Sequence, residues 1–379
     1  MVCAVARRGR LGKSWGRENR SWPRLCGQIG ARTRRIVSQD VPSNMPWIRR
    51  TNFSFFRLLD RGLSGLMTLM PMLEYTPAGA MPWTVASPFR MRPGLARLTA
   101  EAASPAVPLP LFLRDALAPT YATQKARVLA TRRSQAMLGE PDAAVLQAVV
   151  EAYAAQTGVS LAPEPDALAL GMQEDFVVLH DEPGEPASVQ TPTTLRTRFL
   201  SVCFPSNWNP AHKLGLDFAA IHAPVADNAL LQAGARGIVD MAFRQAPMLR
   251  HVWLLTPSAD LPQHPDTRRL RWEDALTQAD ALGASGRLID QICFRVERQT
   301  TLPLPALRRG VFFIRVMVCP LTEVLAVAPG RAAELHAALV SMSDAVLAYR
   351  GMMRVRERLL DELASQTIHL GRNQKARDT

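Results

Sequence analysis

Cysteine is scarce and spaced badly for metal. The five, Cys3, Cys26, Cys203, Cys293 and Cys319, include no CxxC pair, so a thiolate zinc or iron–sulfur site has no support. Three of them fall inside predicted strands, where a thiol packs as a small core residue. That is the usage of a reducing compartment, and the expected localisation is cytoplasmic. The seven histidines contain neither HxxxH nor HxH, which removes a metal site made by neighbouring imidazoles. There is no GxGxxG or GxxxxGK[ST] loop and no GxSxG elbow, so nucleotide binding and serine-hydrolase chemistry lack their sequence handles. Long apolar runs are missing too. The longest, Leu63 to Leu73, is interrupted by Pro71 and falls short of the roughly 20 residues a membrane helix needs.

Acidic residues are lacking at one end only. The formal net charge is +12, but residues 1–80 hold fourteen of the 45 Lys+Arg and four of the 33 Asp+Glu. The remainder carries 31 basic against 29 acidic groups. The basicity belongs to an N-terminal extension, and no nucleic-acid partner is expected of the folded part. Residues 1–72 show no sustained period and read as disordered or spurious. They resemble a transit peptide in composition, and equally upstream sequence read through from an early start. Later starts at Met67, Met70, Met72 and Met81 favour the second reading. The domain is expected over 73–363, opening with a proline-rich arm anchored by Phe89, Leu95, Leu98 and Leu111, and 364–379 is expected to be a flexible tail.

Nearly half of the chain is apolar (47%), enough for a sizeable core. A helix is predicted from Tyr121 to Leu138. Another starts with Pro141 in its first turn and stops at Gly158, burying Leu146, Val149, Val150 and Tyr153. Five strands follow from alternation and β-branched content: Phe176–His180, Arg198–Phe204, His251–Thr256, Ile292–Thr300 and Val311–Cys319. Helical pieces at Lys213–His222 and Asp227–Arg244, the latter capped by Asp227, separate the second strand from the third. Trp272–Ala281 and Ala332–Leu363 are also predicted helical. The order indicates an α+β fold, an antiparallel sheet with helices on one face.

Four places could carry chemistry. His222 ends a helix whose Leu214, Phe218 and Ile221 share a face. An imidazole at such an edge is a metal or haem ligand candidate, although a lone histidine there is more often a hydrogen-bonded structural residue. Glu174 and Asp175 enter an apolar strand with side chains on opposite faces. One could bind a cation or move a proton, and the alternative is a charged strand entrance. On the fourth strand Arg295 and Glu297 share one side, while Arg298 interrupts the apolar side. An anion would explain it, and a cross-strand ion pair would do so as well. Lys213 could neutralise an anion beside His222 or be an ordinary surface lysine.

Several motifs in one order sharpen this reading. Gln173-Glu-Asp-Phe176, Cys203-Phe-Pro-Ser-Asn-Trp208, Lys213-Leu-Gly215 through Ile221-His-Ala-Pro-Val225, Arg295-Val-Glu-Arg-Gln-Thr300 and Tyr349-Arg-Gly351 together resemble the haem-dependent oxidative N-demethylases, over roughly Tyr75 to Met352. The chain departs from that pattern at Ala226, Val252 and Leu302. The resemblance implies a PAS-like antiparallel five-stranded sheet, with a haem b pocket between the sheet and the helical block. It implies His222, rather than His212, as the iron ligand. It suggests Glu174, Asp175 or Glu297 as the partner of a protonated amine, and Arg298, Arg295 and Lys213 for the haem propionates. The activity implied is oxidation of a small secondary alkylamine, dimethylamine being the type, to a primary amine and formaldehyde. With no flavin or iron–sulfur signature here, external electrons would come from a separate electron-transfer chain. The alternatives are a haem-PAS protein that binds or senses a ligand without turnover, and a haem-free scaffold.

Overall fold

The computed structural model describes residues 74–98, 110–182 and 194–375, with side chains to 366. The expectations for residues 1–72 lie outside the described residues. Among them no helix is long and apolar enough to cross a membrane.

The sheet has seven strands, not five: β1 (Ala96–Arg97), β2 (Met137–Gly139), β3 (Asp175–Glu182), β4 (Thr194–Ser201), β5 (Met248–Thr256), β6 (Cys293–Leu304) and β7 (Arg309–Pro320). Their order is β1-β5-β6-β7-β3-β4-β2, and every neighbouring pair is antiparallel. The five long strands are those predicted. The two additions are short edge pieces that pair with β5 and β4. At the end of β2, Gly139 has φ +83, and a Cβ there would sit 2.0 Å from the Arg198 carbonyl oxygen, so this pairing requires glycine.

Helices cover both faces of the sheet, which corrects the one-faced arrangement. Successive residues of a strand point opposite ways. Val316 and Val318 of β7 pack with Tyr121, Val128 and Leu129 of α1 (Ala118–Ala136). Met317 and Cys319, between and beside them, pack with the C-terminal helices instead: α7 (Leu321–Ala326), α8 (Arg331–Val340), α9 (Asp344–Tyr349) and α10 (Arg356–Lys375). Leu335, Leu339 and Met342 are buried there as their spacing predicted. Further along this second face lie α2 (Ala143–Thr157) and α3 (Pro165–Gly171), the latter between the predicted helix that stops at Gly158 and the first predicted strand.

Caps explain the remaining differences. Asp142, not Pro141, starts α2 by accepting from the Val145 N–H, and Gly158 closes it at φ 72. The single helix expected over Lys213–His222 divides into a 3-10 turn at Pro210–Lys213 and α4 (Phe218–His222). Gly215, at φ 78, lies between them, and Asp217 caps α4 through the Ala220 N–H at 2.9 Å. Asn228, not Asp227, precedes α5 (Ala229–Asp240); the Asp227 carboxylate accepts from Ser343 Oγ at 2.7 Å. A wider π turn, Met241–Gln245, extends α5. The predicted α6 (Trp272–Ala281) has the expected bounds, and α10 runs beyond Leu363 into the residues read as a tail.

Candidate functional site

Five residues are too few for a free-standing helix, and α4 is held by its neighbours. The chain before it is hung on β4: Gly215 N–H donates to Thr197 O at 2.9 Å, and Thr197 N–H donates to Leu216 O at 3.0 Å. Side chains then meet the carbonyls at its end. Lys213 Nζ donates to Ile221 O at 2.9 Å, and Asn228 Nδ2 to His222 O at 2.9 Å. Gln232 Nε2, from α5, donates to Ala219 O at 3.0 Å. Lys213 and His222 are thus fixed to the same turn.

The His222 ring is half-buried and lies 4.1 Å, centroid to centroid, from the Phe218 ring. Its Nδ1 is 2.7 Å from the Phe218 carbonyl oxygen. A carbonyl can only accept, so the neutral ring carries its proton on Nδ1 and leaves the Nε2 lone pair free. Burial pushes its pKa down to about 4, helped by the charges of Arg250 and Lys213 and opposed by the Phe218 carbonyl. Burial also lowers the pKa of Lys213.

Arg250, on β5, was not among the candidates. It shares a sheet face with Val252, and its register partner is Gln299, as Val252's is Glu297. The Arg250 Nε is enclosed and has no hydrogen-bond partner among the described residues. Burial lowers its pKa while the Glu297 carboxylate raises it. Glu297 is itself buried, at 7% exposure, and its Oε2 accepts from Gln299 Nε2 at 2.7 Å. The signal for Arg250 was present: an arginine within Met248-Leu-Arg-His-Val-Trp253 breaks an apolar strand as Arg298 does.

The charges of Arg250 and Lys213 thus act on His222, and that of Glu297 on the unforeseen Arg250. Glu174, Asp175 and Arg298 are not among the charges acting on His222 or Arg250, and Arg295, although Glu297 acts on it too, is held by other partners. Glu174 Oε1 accepts from Leu113 N–H at 2.8 Å, and burial raises its pKa against the pull of Arg315, the Leu113 N–H and Lys125. Asp175 pairs with Lys125 at 3.0 Å and accepts from Phe204 N–H at 2.7 Å. All three nitrogens of the Arg295 guanidinium are engaged: Nε by Ser206 Oγ at 2.8 Å, Nη1 by Asp260 O at 3.1 Å, and Nη2 by Phe204 O and Leu261 O at 3.1 and 2.9 Å. Arg298 donates to Leu111 O at 3.1 Å and to Pro110 O. Glu174 and Arg298 fasten the N-terminal arm, and Arg295 pins two loops; the second Glu174 oxygen, Oε2, is buried with no hydrogen-bond partner among the described residues.

A neutral imidazole with a free lone pair, under the charge of an arginine whose Nε has no hydrogen-bond partner among the described residues, is a donor set suited to a group that is metal-bearing and anionic. A family model described as haem-dependent oxidative N-demethylase, alpha subunit-like, matches residues 157–360. The chain belongs to this haem-dependent family. The chain's own residues fit haem: Nε2 of His222 is of the type that binds iron, and the Arg250 Nε, which has no hydrogen-bond partner among the described residues, could donate to a propionate. No group of three or more His, Cys, Asp or Glu that could hold a metal ion by itself occurs among the described residues.

His251, next to Arg250, makes a test of the electrostatics on this strand. Burial and the charge of Arg298, its register partner, push its pKa down to about 4 from 6.5. Above pH 6.5 the ring is neutral in both folded and unfolded chains. Between pH 6.5 and 4 only the unfolded chain takes the proton, so stability falls as pH falls. His251→Gln should lose less stability than the parent over that window, measured by urea denaturation at pH 7.5, 5.5 and 4.5. Parallel losses would show that His251 titrates normally.

Proposed function

We propose that the chain is a haem-dependent oxidative N-demethylase of a small secondary alkylamine, dimethylamine-like, with haem b held by His222. The observation that carries the proposal is the His222 tautomer, with Nδ1 donating to Phe218 O and Nε2 free. Bound haem supplies the oxidative chemistry with dioxygen. The overall change consumes the amine, dioxygen, two electrons and two protons, and yields the primary amine, formaldehyde and water. A separate electron-transfer chain supplies the electrons.

In this reading Arg250 and Lys213 meet the propionates, with Arg250 replacing Arg295 and Arg298 in that role. Glu297 is preferred over Glu174 and Asp175 as the partner of the protonated amine. Gln299 holds one carboxylate oxygen of Glu297, and Oε1 accepts the ammonium N–H, fixing the amine in a partly dry site. The PAS-like classification and the single domain over 73–363 rest on the five long antiparallel strands with the α4–α5 block beside them.

The test is formaldehyde release by haem-loaded protein given dimethylamine, dioxygen and a reductant. Release should depend on the amine, and Glu297→Gln should keep the haem spectrum while raising KM for the amine about tenfold or more, the scale of losing a charge-assisted hydrogen bond. Amine-induced spectral change without formaldehyde across short alkylamines would replace the enzyme reading with a ligand-binding or sensor one.

A further inference from the structure

Two consecutive residues in the turn after α4 give up locally favourable arrangements. Asp227 has φ 52, in the left-handed region that residues with a Cβ seldom occupy. Asn228 precedes α5, where an asparagine side chain ordinarily accepts from the free N–H groups of its own helix. It makes no such cap. Its Nδ2 turns back and donates to His222 O at 2.9 Å and to Ala223 O at 3.0 Å. The main chain of Asn228 still opens α5, its carbonyl accepting from the Gln232 N–H at 2.9 Å. The residue thus begins one helix with its backbone and closes the preceding one with its side chain.

Asp227 reaches further. Its Oδ2 accepts from Ser343 Oγ at 2.7 Å, and the same hydroxyl accepts from the Val346 N–H at 3.2 Å, capping α9. Ala226, beside it, packs on the core in which α9 buries Val346 and Leu347. The turn is therefore held to α9 by Asp227 and Ala226, and to the last residue of α4 by Asn228. A strained backbone angle persists where its surroundings over-determine it. What these contacts secure is the end of a five-residue helix, too short to keep its shape without outside support. The His222 ring depends on that shape, because its Nδ1 reaches back one turn to Phe218 O.

We propose that Asn228 and Asp227 are positioning residues for His222: Asn228 fixes the carbonyl end of α4, Asp227 ties that end to α9, and together they keep the ring on Phe218 O with Nε2 free to meet iron. The inference rests on the haem reading for the metal, but its first measurement needs no haem. In nitrogen–proton spectra of the haem-free parent at neutral pH, assigned against His222→Ala, the His222 ring should show the Nδ1–H tautomer alone. In Asn228→Ala and in Asp227→Gly the Nε2–H form should appear beside it. Asp227→Gly should nevertheless melt close to the parent, since glycine takes this φ freely and Ser343 still caps α9. Asp227→Asn, which keeps an oxygen for Ser343 Oγ, should restore the single tautomer. The second measurement is transfer of haem from the loaded protein to excess apomyoglobin. Asn228→Ala and Asp227→Gly should release it about tenfold faster, the lower end for groups that orient a metal ligand, and Asp227→Asn at the parent's rate. A parent that takes up no haem would sink the haem reading and leave the tautomer to decide the positioning. A single Nδ1–H tautomer in both Asn228→Ala and Asp227→Gly, or haem release at the parent's rate from both, would overturn the proposal.

Discussion

His222→Ala should purify as a folded chain that acquires no Soret band, or a grossly displaced one, when mixed with haem. The expectation follows from how differently the structural role and the proposed ligand role of the ring are distributed. Toward the protein, the ring makes one hydrogen bond within its own short helix, to Phe218 O, worth about 1 kcal/mol net. The carbonyls around it are held independently by Lys213, Asn228 and Gln232, so α4 keeps its anchors without the imidazole. Toward iron, the free Nε2 is the only atom of the ring left to bind, and its loss is complete. Haem should raise the melting temperature of the parent by mass action and leave that of the variant nearly unchanged. Added imidazole should restore much of the band by filling the vacated volume. An unaltered spectrum in His222→Ala would remove the assignment and turn attention to His212, which is exposed at the end of the preceding 3-10 turn.

How much of this could be read beforehand depends on the range of the interaction concerned. The five long strands were legible because alternation and β-branched content are local properties, and α6 because its period and boundaries are equally local. The three residues of β2 were not: Met137–Gly139 follow a helical pattern directly, and only their pairing with β4 makes them a strand. Leu214, Phe218 and Ile221 have helical spacing, yet Gly215 and the Asp217 cap separate Leu214 from α4. The candidate site divided in the same way. That Glu174, Asp175, Arg295 and Arg298 are unusual charges in apolar strands was visible. That their partners are an arm some sixty to nearly two hundred residues away, or the turns at Phe204 and Asp260, was not. Arg250 gave the same local signal, and no sequence pattern encodes that its Nε is left without a hydrogen-bond partner among the described residues.

Lys125→Met should be among the most destabilising single changes in the chain, by about 3–5 kcal/mol, the scale for removing one member of a buried ion pair. Lys125 and Asp175 are 3.0 Å apart with side chains 0% and 1% exposed. The ammonium also donates to Glu174 O at 2.6 Å and Met172 O at 3.3 Å. Removing it leaves a carboxylate and two carbonyls enclosed without their cation. Asp175→Asn in the same chain should recover more than half of the loss. The amide oxygen can still accept from Phe204 N–H, while the stranded charge is gone. The double variant is therefore the decisive measurement, read as urea midpoints in a double-mutant cycle. If Lys125→Met were nearly silent, or if Asp175→Asn added to its effect instead of reversing it, the pair would not be the desolvated clamp described. The clamp bears on the site because Asp175 ties the start of β3 to Phe204, and the chain from Phe204 leads through Trp208 to Lys213 and His222. At temperatures where Lys125→Met is still mostly folded, haem affinity should fall along with stability and return with it in the double variant. A haem site that kept its full affinity in a loosened Lys125→Met chain would show that α4 is anchored by β4 and α5 alone.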